Sequence, residues 1–494
     1  MTNLELLTSW HSDWRELRVG VIGLGVSGFS VADTLAELGA KQLVVAEKAE
    51  KDLLDILDVI GVNYLVGEAA TANDGVPAEL IALDPHVIVT SPGVRPDSPI
   101  IKWATENNIA VWVDIDLAWR LRDKTDKVAQ WLTITGTNGK TTTTQLVEAM
   151  LIEGGQRAIA VGNIGVPILD AIRDPQGFDY FVVELSSFQL HYLGEISPLA
   201  SVVLNIDYDH LDWHGGYQKY AKTKGKVYHN TQLAVVYNDG DKATIKLAED
   251  ADVVEGCIGV GFTLGSPGRS EIGYVEDILV DRAYVESYDE AMPVCDFKDI
   301  AEIGVITPHL LANVAAATAL ARAANVDRQR IRVAIRNFKL DHHRIELVAD
   351  QDGIKWYDDS KATNPHATAA SLASFDKVVW VVGGLLKGVD VAPLVKRFAH
   401  KLRAAIVIGV DREPVLAALA AEAPQVKVLE VTTSDNGKVM ADVARFALQV
   451  AQDGDTVLLA PAAASMDQFK DYADRGNQFA DAVRYALNQQ AGEQ

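Results

Sequence analysis

Residues 133–142 read Thr-Ile-Thr-Gly-Thr-Asn-Gly-Lys-Thr-Thr, directly after the apolar run Val128-Ala129-Gln130-Trp131-Leu132. A loop of this composition at the end of a strand grips phosphates. Backbone N–H groups of a tight turn and a helix N-terminus face the oxyanions, Lys140 neutralises β/γ oxygens, and the Thr141 hydroxyl can hold Mg²⁺. Nucleoside triphosphate chemistry is therefore the first hypothesis. The usual G-x-x-x-x-G-K-[ST] spacing needs glycine at position 134, where this chain has Ile134; its first glycine is Gly136, so the loop is a shorter variant.

Three clusters follow it. Gly162-Asn163-Ile164-Gly165 places an amide side chain between glycines, a pattern shared by turns and sites. Glu184-Leu185-Ser186-Ser187-Phe188-Gln189 follows the strand-like run Tyr180–Val183, and Asn205-Ile206-Asp207-Tyr208-Asp209-His210-Leu211-Asp212 follows Ala200–Leu204. Any one of these acids could be a solvated loop or capping group. Carboxylate and imidazole groups at successive strand ends suit a divalent cation bridging phosphates and substrate. Lys222, Lys224 and Lys226 alternate along a helix starting near Tyr217. At that spacing they cannot share a face, so either all are solvated or a single lysine turns to the site.

Near the start, the strand Val19–Ile22 leads into Gly23-Leu24-Gly25-Val26-Ser27-Gly28 and a helix, and Glu47 closes the next strand, Leu43–Val45. The spacing satisfies the dinucleotide-binding fingerprint, whose mechanism recognises a pyrophosphate and a ribose. It leaves open nicotinamide, another diphosphate nucleotide, or a tight turn that merely packs helix on strand. Ser91-Pro92-Gly93, after the strand Val87–Thr90, is either a plain turn or a second ligand contact at a strand's carboxyl end.

The elements that must position these groups alternate between strand and helix throughout, which implies an α/β fold with parallel sheets covered on both faces. At 494 residues the chain exceeds one core. The sheets restart near Asp114 and Asp341, giving domains at 1–113, 114–340 and 341–494: a Rossmann-like N-terminal domain, a central P-loop ATPase-type sheet, and a Rossmann-like C-terminal domain. Residues 250–300, with strand-like Glu271–Val285, read as a peripheral insertion. The 68 acidic and 45 basic residues leave a formal charge of −23, which disfavours nucleic acid and anionic membranes as partners. Cys257 and Cys295 lack metal-ligand spacing, and no apolar run reaches membrane-spanning length, so a cytoplasmic protein is expected.

Thr135–Thr142, Gly162–Gly165 and Asp209-His210, together with Asp359-Ser360-Lys361-Ala362-Thr363-Asn364 and Ser465-Met466-Asp467-Gln468-Phe469-Lys470, resemble the Mur ligase family across the whole chain. The resemblance implies ATP-dependent amide ligation, with UDP-N-acetylmuramoyl-L-alanine and D-glutamate as partners, by a monomer. It assigns the first glycine cluster to UDP, with Val26, Ser27, Glu47, Ser91, Pro92 and Gly93 as contacts. Gly136, Thr137, Asn138, Gly139, Lys140, Thr141 and Thr142 would take ATP, with Asn313, Arg344 and Asp359 placing its adenosine and the third domain. Thr141, Glu184, His210 and Lys224 would surround Mg²⁺, Lys224 carrying a carbamate made from CO₂. His210 and Asn163 would hold the sugar-peptide over the metals, Ser186 and Gln189 would bind substrate, and Lys361, Thr363, Lys387 and Ser465 the D-glutamate. Tyr472 departs from relatives that carry phenylalanine there.

The implied reaction is attack of the alanine carboxylate on the γ-phosphate, then attack of the D-glutamate amine on the acyl phosphate. Closure of the last domain onto the middle one is expected, because their residues must meet and water must be excluded. A folylpolyglutamate-synthetase-like ligase, disfavoured by the N-terminal nucleotide domain, and an ATP-switched binding protein are the competing readings. A nicotinamide dehydrogenase would explain only Gly23–Glu47.

Overall fold

Three separate sheets follow one another along the chain in a computed structural model that describes residues 4–287, 289–340, 342–386, 388–433 and 435–492. The first comprises β1 (Arg18–Ile22), β2 (Lys41–Ala46), β3 (Asn63–Val66), β4 (Val87–Thr90) and β5 (Ala110–Trp112), in the order β3-β2-β1-β4-β5. All its pairings are parallel. Alternate residues serve opposite faces: Val19, Val21, Val44, Val87 and Val89 enter one core, and Ile22, Leu43, Val45 and Ile88 another. A sheet buried on both sides needs such continuous apolar strands.

The central sheet holds β6 (Gln130–Thr135), β7 (Ala158–Gly162), β8 (Tyr180–Glu184), β9 (Ala200–Val203), β10 (Ala234–Asn238), β11 (Ile258–Phe262), β12 (Glu271–Val275), β13 (Ile278–Asp281) and β14 (Met292–Asp296), in the order β14-β13-β12-β11-β10-β9-β6-β8-β7. Here the expectation of a peripheral insertion fails. β11 pairs in parallel with β10, and β12 with β11, so residues 258–281 extend the central sheet itself. The run Glu271–Val285 is also not one strand, because Glu276 turns at φ +55° and β12 folds back antiparallel on β13. Period-2 apolarity reads alike in one strand and in a tight hairpin.

The third sheet comprises β15 (Glu346–Gln351), β16 (Ile354–Asp358), β17 (Val378–Gly383), β18 (Leu402–Ile408), β19 (Lys427–Glu430) and β20 (Thr456–Leu459), ordered β15-β16-β20-β17-β18-β19. Only β15 runs antiparallel to its neighbour among the described pairings. Trp380 and Leu458 pack into one core, Trp356 and Val457 into the opposite one.

By compactness the chain divides into two units, Met1–Cys295 with Ala312–Ile335, and Asp296–Leu311 with Arg336–Gln494. The first two sheets thus share one unit. Ser30 donates to Asp170 at 2.7 Å, Arg173 binds Asp33 at 2.5 Å and Asp170 at 2.6 Å, and Lys124 reaches Glu37 at 2.6 Å. The Ser30–Asp170 and Arg173–Asp33 bonds lock the first glycine cluster's helix, Val26–Glu37, to the helix Ile168–Ile172 and its C-terminal end, which follow Gly162–Gly165. Among the described residues no helix is long and apolar enough to cross a membrane.

Candidate active site

The phosphate loop leaves β6 at Thr135 and enters the helix Lys140–Glu153. Gly139 adopts φ +85°, and a Cβ there would stand 2.3 Å from Asn313 Oδ1. The loop therefore takes glycine for both conformation and clearance, and Asn313 lies against it. Asn138 and Asn205 exchange bonds, N–H to Oδ1 at 2.9 Å and Nδ2 to the carbonyl at 3.0 Å. Thr137 shares a 2.9 Å hydrogen bond with the Tyr220 hydroxyl and accepts from Asp207 N. Lys140 Nζ curls back onto the carbonyls of Gly136 and Thr137, each at 3.0 Å. Thr141 is half-buried and Thr142 buried at the start of the helix.

Because β6 lies between β9 and β8, with β7 beyond, the loops after all four strands open on one sheet edge. Glu184 is the last residue of β8, paired with Ile134 and with Gly162. Its Oε1 accepts from Asn163 Nδ2 at 2.8 Å, while Oε2 is buried without a hydrogen-bond partner. A bare buried carboxylate oxygen beside a phosphate loop fits a divalent cation.

Of the three alternating lysines, Lys222 and Lys226 are exposed and Lys224 is buried. Its Nζ donates to Gly136 O at 2.8 Å and Thr135 Oγ1 at 3.3 Å. Burial, then the charge of Lys140, lowers its pKa well below the ordinary lysine value, which favours the neutral amine. His210 caps the helix Leu211–His214 in the left-handed region at φ +50°, with Nε2 3.5 Å from Asp209.

An aromatic and imidazole cluster, invisible as a motif, backs this edge. Phe188 lies 4.7 Å from His210 and 4.8 Å from Trp213 by ring centroids. His214 is buried on Ser187 Oγ at 3.0 Å, and burial, then His191 and Lys224, depresses it to about 4, so it is neutral at pH 7. The implied substrate residues Ser186 and Gln189 also form a capping box. Ser186 Oγ accepts from Gln189 N at 3.2 Å, and Gln189 Oε1 from Ser186 N at 3.0 Å.

In the first sheet, strand order reverses between β1 and β4, where the loops after both strands meet. A Cβ on Gly28 would lie 2.1 Å from Gly23 O, and one on Gly23 would lie 2.4 Å from Ser91 Oγ. The Ser91-Pro92-Gly93 turn thus sits against the glycine cluster. Val26 and Glu47 are exposed beside it, and Ser27 is half-buried.

The second unit collects Arg344, Asp359, Lys361, Thr363, Ser465 and Tyr472; Lys387 lies outside the described residues. Asp359 is buried, accepts from Ser371 Oγ and from Ile345 N, and is pushed up to about 7 by burial. Lys361 Nζ stands 5.2 Å from the Tyr472 ring. Thr363 and Tyr472 are half-buried and Ser465 is buried. Sequence reasoning missed the hub of this group, Arg475, which is fully buried. Its guanidinium donates to Ser360 Oγ at 2.9 Å, Ser360 O at 2.8 Å and Ala463 O at 3.1 Å, while Ser360 Oγ donates to Tyr472 O at 2.7 Å. One side chain fastens the three segments that carry Lys361, Ser465 and Tyr472. Its only signal was an arginine on the apolar side of a helix.

His343, Glu346 and Asp358 offer donor atoms within 4.8 Å of one another. Each is engaged in a hydrogen bond: His343 Nδ1 with Asp358 Oδ2 at 2.6 Å, and Glu346 Oε2 with His343 N at 2.8 Å. Lys361 N donates to His343 O at 3.2 Å, so the group braces the Asp359–Lys361 turn.

Three successive, mostly parallel sheets with a phosphate loop on the middle one define a multidomain α/β nucleotide-binding protein. Family descriptions match in the same order: the Mur ligase MurD-like N-terminal domain over residues 17–113, the Mur ligase middle domain over 134–321, and the Mur ligase glutamate ligase domain over 343–463. The chain belongs to the Mur ligase family. It is 52% identical to the UDP-N-acetylmuramoylalanine--D-glutamate ligase of Leifsonia xyli subsp. xyli, over 98% of this chain and 95% of that one. With the enzyme of the same name from Streptomyces avermitilis it shares 46% identity, over 96% and 99%. The fold also resembles MurF ligase from Thermotoga maritima, solved in complex with ADP, with a TM-score of 0.54 at 18% identity, over 91% of this chain and 95% of that one.

Proposed function

We propose that this protein is an ATP-dependent ligase that joins D-glutamate to UDP-N-acetylmuramoyl-L-alanine in cytoplasmic peptidoglycan precursor synthesis. The observation that carries the reading is 52% identity over 98% of the chain to a ligase named for that reaction. Residues 1–113 would hold the sugar nucleotide, 114–340 ATP, and 341–494 D-glutamate.

A carboxylate is a poor electrophile. The alanine carboxylate oxygen attacks the γ-phosphorus, the bond to the bridging oxygen breaks, and ADP leaves. The D-glutamate amine then attacks the acyl carbon, phosphate departs, and the amine proton passes to solvent. Mg²⁺ at Thr141, Glu184, His210 and Lys224 would supply positive charge against the phosphate oxygens. Lys140 turns from the carbonyls of its own loop to the phosphates. Asn163 orients Glu184 by its bond to Oε1 and leaves Oε2 bare. With its pKa lowered, Lys224 can add CO₂ as a neutral amine: an N–C bond forms, a proton is lost, and the neutral amine becomes an anionic ligand. Lys361, Thr363, Ser465 and Lys387 suit a dicarboxylate by charge and hydroxyl donors. We propose a monomer as the acting species.

ADP release tests the reading. With UDP-N-acetylmuramoyl-L-alanine present, release should depend on D-glutamate; release at the same rate without D-glutamate would overturn it. The family match across all three segments disfavours a folylpolyglutamate-type substrate, since it includes the MurD-like N-terminal domain.

A further inference from the structure

We propose that Asp241, seconded by Asn238, is a positioning residue for ATP: from the turn after β10 it holds the segment Leu204–Asp207 against the phosphate loop. The inference rests on the ATP site proposed above. β9 and β10 pair in parallel from Ala200 with Ala234 to Val203 with Tyr237, and there the backbone ladder stops. Side chains carry the pairing further. Asn238 Nδ2 donates to Leu204 O at 3.1 Å, and Asp241 Oδ2 accepts from Ile206 N at 2.9 Å. Ile206 is buried, so its N–H needs a partner once the ladder has ended.

The segment held in this way cradles the phosphate loop. A Cβ on Gly136 would lie 2.9 Å from Leu204 Cβ and 3.3 Å from Leu204 N, so the loop runs against Leu204. Thr137 N donates to Asn205 O at 3.0 Å. Asn138 exchanges two bonds with the Asn205 side chain, and Asp207 N donates to Thr137 Oγ1 at 2.9 Å. Leu204, Asn205 and Asp207 therefore each touch the loop, and Ile206 between them is tied to Asp241.

Asp241 uses its two oxygens differently. Oδ1 accepts from Ala243 N at 2.9 Å and caps the helix Lys242–Glu249, while Oδ2 reaches Ile206. The turn is closed by Asp241 N on Asn238 O at 3.1 Å and by Thr244 Oγ1 on the same carbonyl at 2.7 Å. A capped helix and a closed turn thus form a fixed base for Oδ2. Several N–H groups of the loop must face the phosphates at once, so a small shift of the segment beneath them falls first on ATP binding.

The two oxygens can be tested separately in the full-length protein. Asp241→Ser keeps a cap for Ala243 N but is too short to reach Ile206 N, whereas Asp241→Ala loses both bonds. In calorimetric titrations with ADP and Mg²⁺, the Kd should rise about tenfold in Asp241→Ser, and the KM for ATP with it. The Kd for UDP and the KM for D-glutamate should stay within about twofold. Asp241→Ala should show the same loss of ADP affinity to within about twofold, yet melt about 2 °C or more below Asp241→Ser, because only it loses the cap. Should the Asp241 variants not fold, Asn238→Ala cuts the companion bond to Leu204 O. A rise of about threefold or more in the Kd for ADP, with UDP unchanged, is then expected. An ADP affinity equal to wild type in the variant measured, or an equal rise for UDP, would overturn the proposal. A wild-type protein that fails to bind ADP with Mg²⁺ would instead overturn the ATP site on which it rests.

Discussion

Lys224 is the residue whose chemistry depends most on its surroundings. Two lysines at equivalent spacing are solvated, while burial strips this one of the water that stabilises an ammonium. Lys224→Ala should nearly abolish turnover, by about 10³-fold or more, with partial rescue by added short carboxylates if a carbamate occupies the position. Initial rates with and without acetate or formate check this, and full activity in the variant would remove Lys224 from the site. Asp359 gives a second residue-level expectation. Its pKa is raised from 3.8 to about 7, so the folded state holds a proton that the unfolded chain has released between those values. Its contribution to stability is present at low pH and is lost as pH rises through about 7. The wild type should therefore lose ground to Asp359→Asn between about pH 4 and pH 7, by a few kcal/mol at most. Melting temperatures that keep a constant gap across that range would contradict the buried, protonated carboxyl.

At the scale of the element, the phosphate loop was legible because its physics is local. A left-handed glycine, a lysine and a helix N-terminus are adjacent in sequence, so composition alone announces them. Gly139→Ala would meet Asn313 Oδ1 and force φ +85° on an alanine. ATP affinity should fall by about two orders of magnitude, with UDP binding in the first sheet retained; calorimetry with each nucleotide separates the two. The extension of the central sheet was not legible. Strands β11 to β13 carry short, irregular apolar runs in an acidic stretch, and only their pairing with β10 makes them part of a sheet. Ser186 and Gln189 show a further limit. Their residue types suit substrate contact, but they also form a capping box that starts a helix.

For the whole molecule, the first two sheets belong to one unit although their motifs read as separate domains. The bond of Arg173 with Asp33 crosses between them and is partly shielded from water. Arg173→Ala should cost about 1–3 kcal/mol, seen as a lower urea midpoint with an unchanged slope; an unaltered midpoint would show that this ion pair adds nothing to the junction.

By itself the sequence determined the alternation of strands and helices, the order of the three sheets, and the segments that grip phosphate and match a family. These depend on neighbours in the chain: apolar period, turn chemistry and glycine spacing. Tertiary structure decided which of three lysines is buried, which oxygen of Glu184 is left bare, and that Arg475 fastens three distant segments. Such facts arise where residues tens or hundreds of positions apart share one water-excluded space, and burial there sets both charge state and partner. The short phosphate loop announced its ligand from ten residues; the groups that tune and position it had no local signal to give.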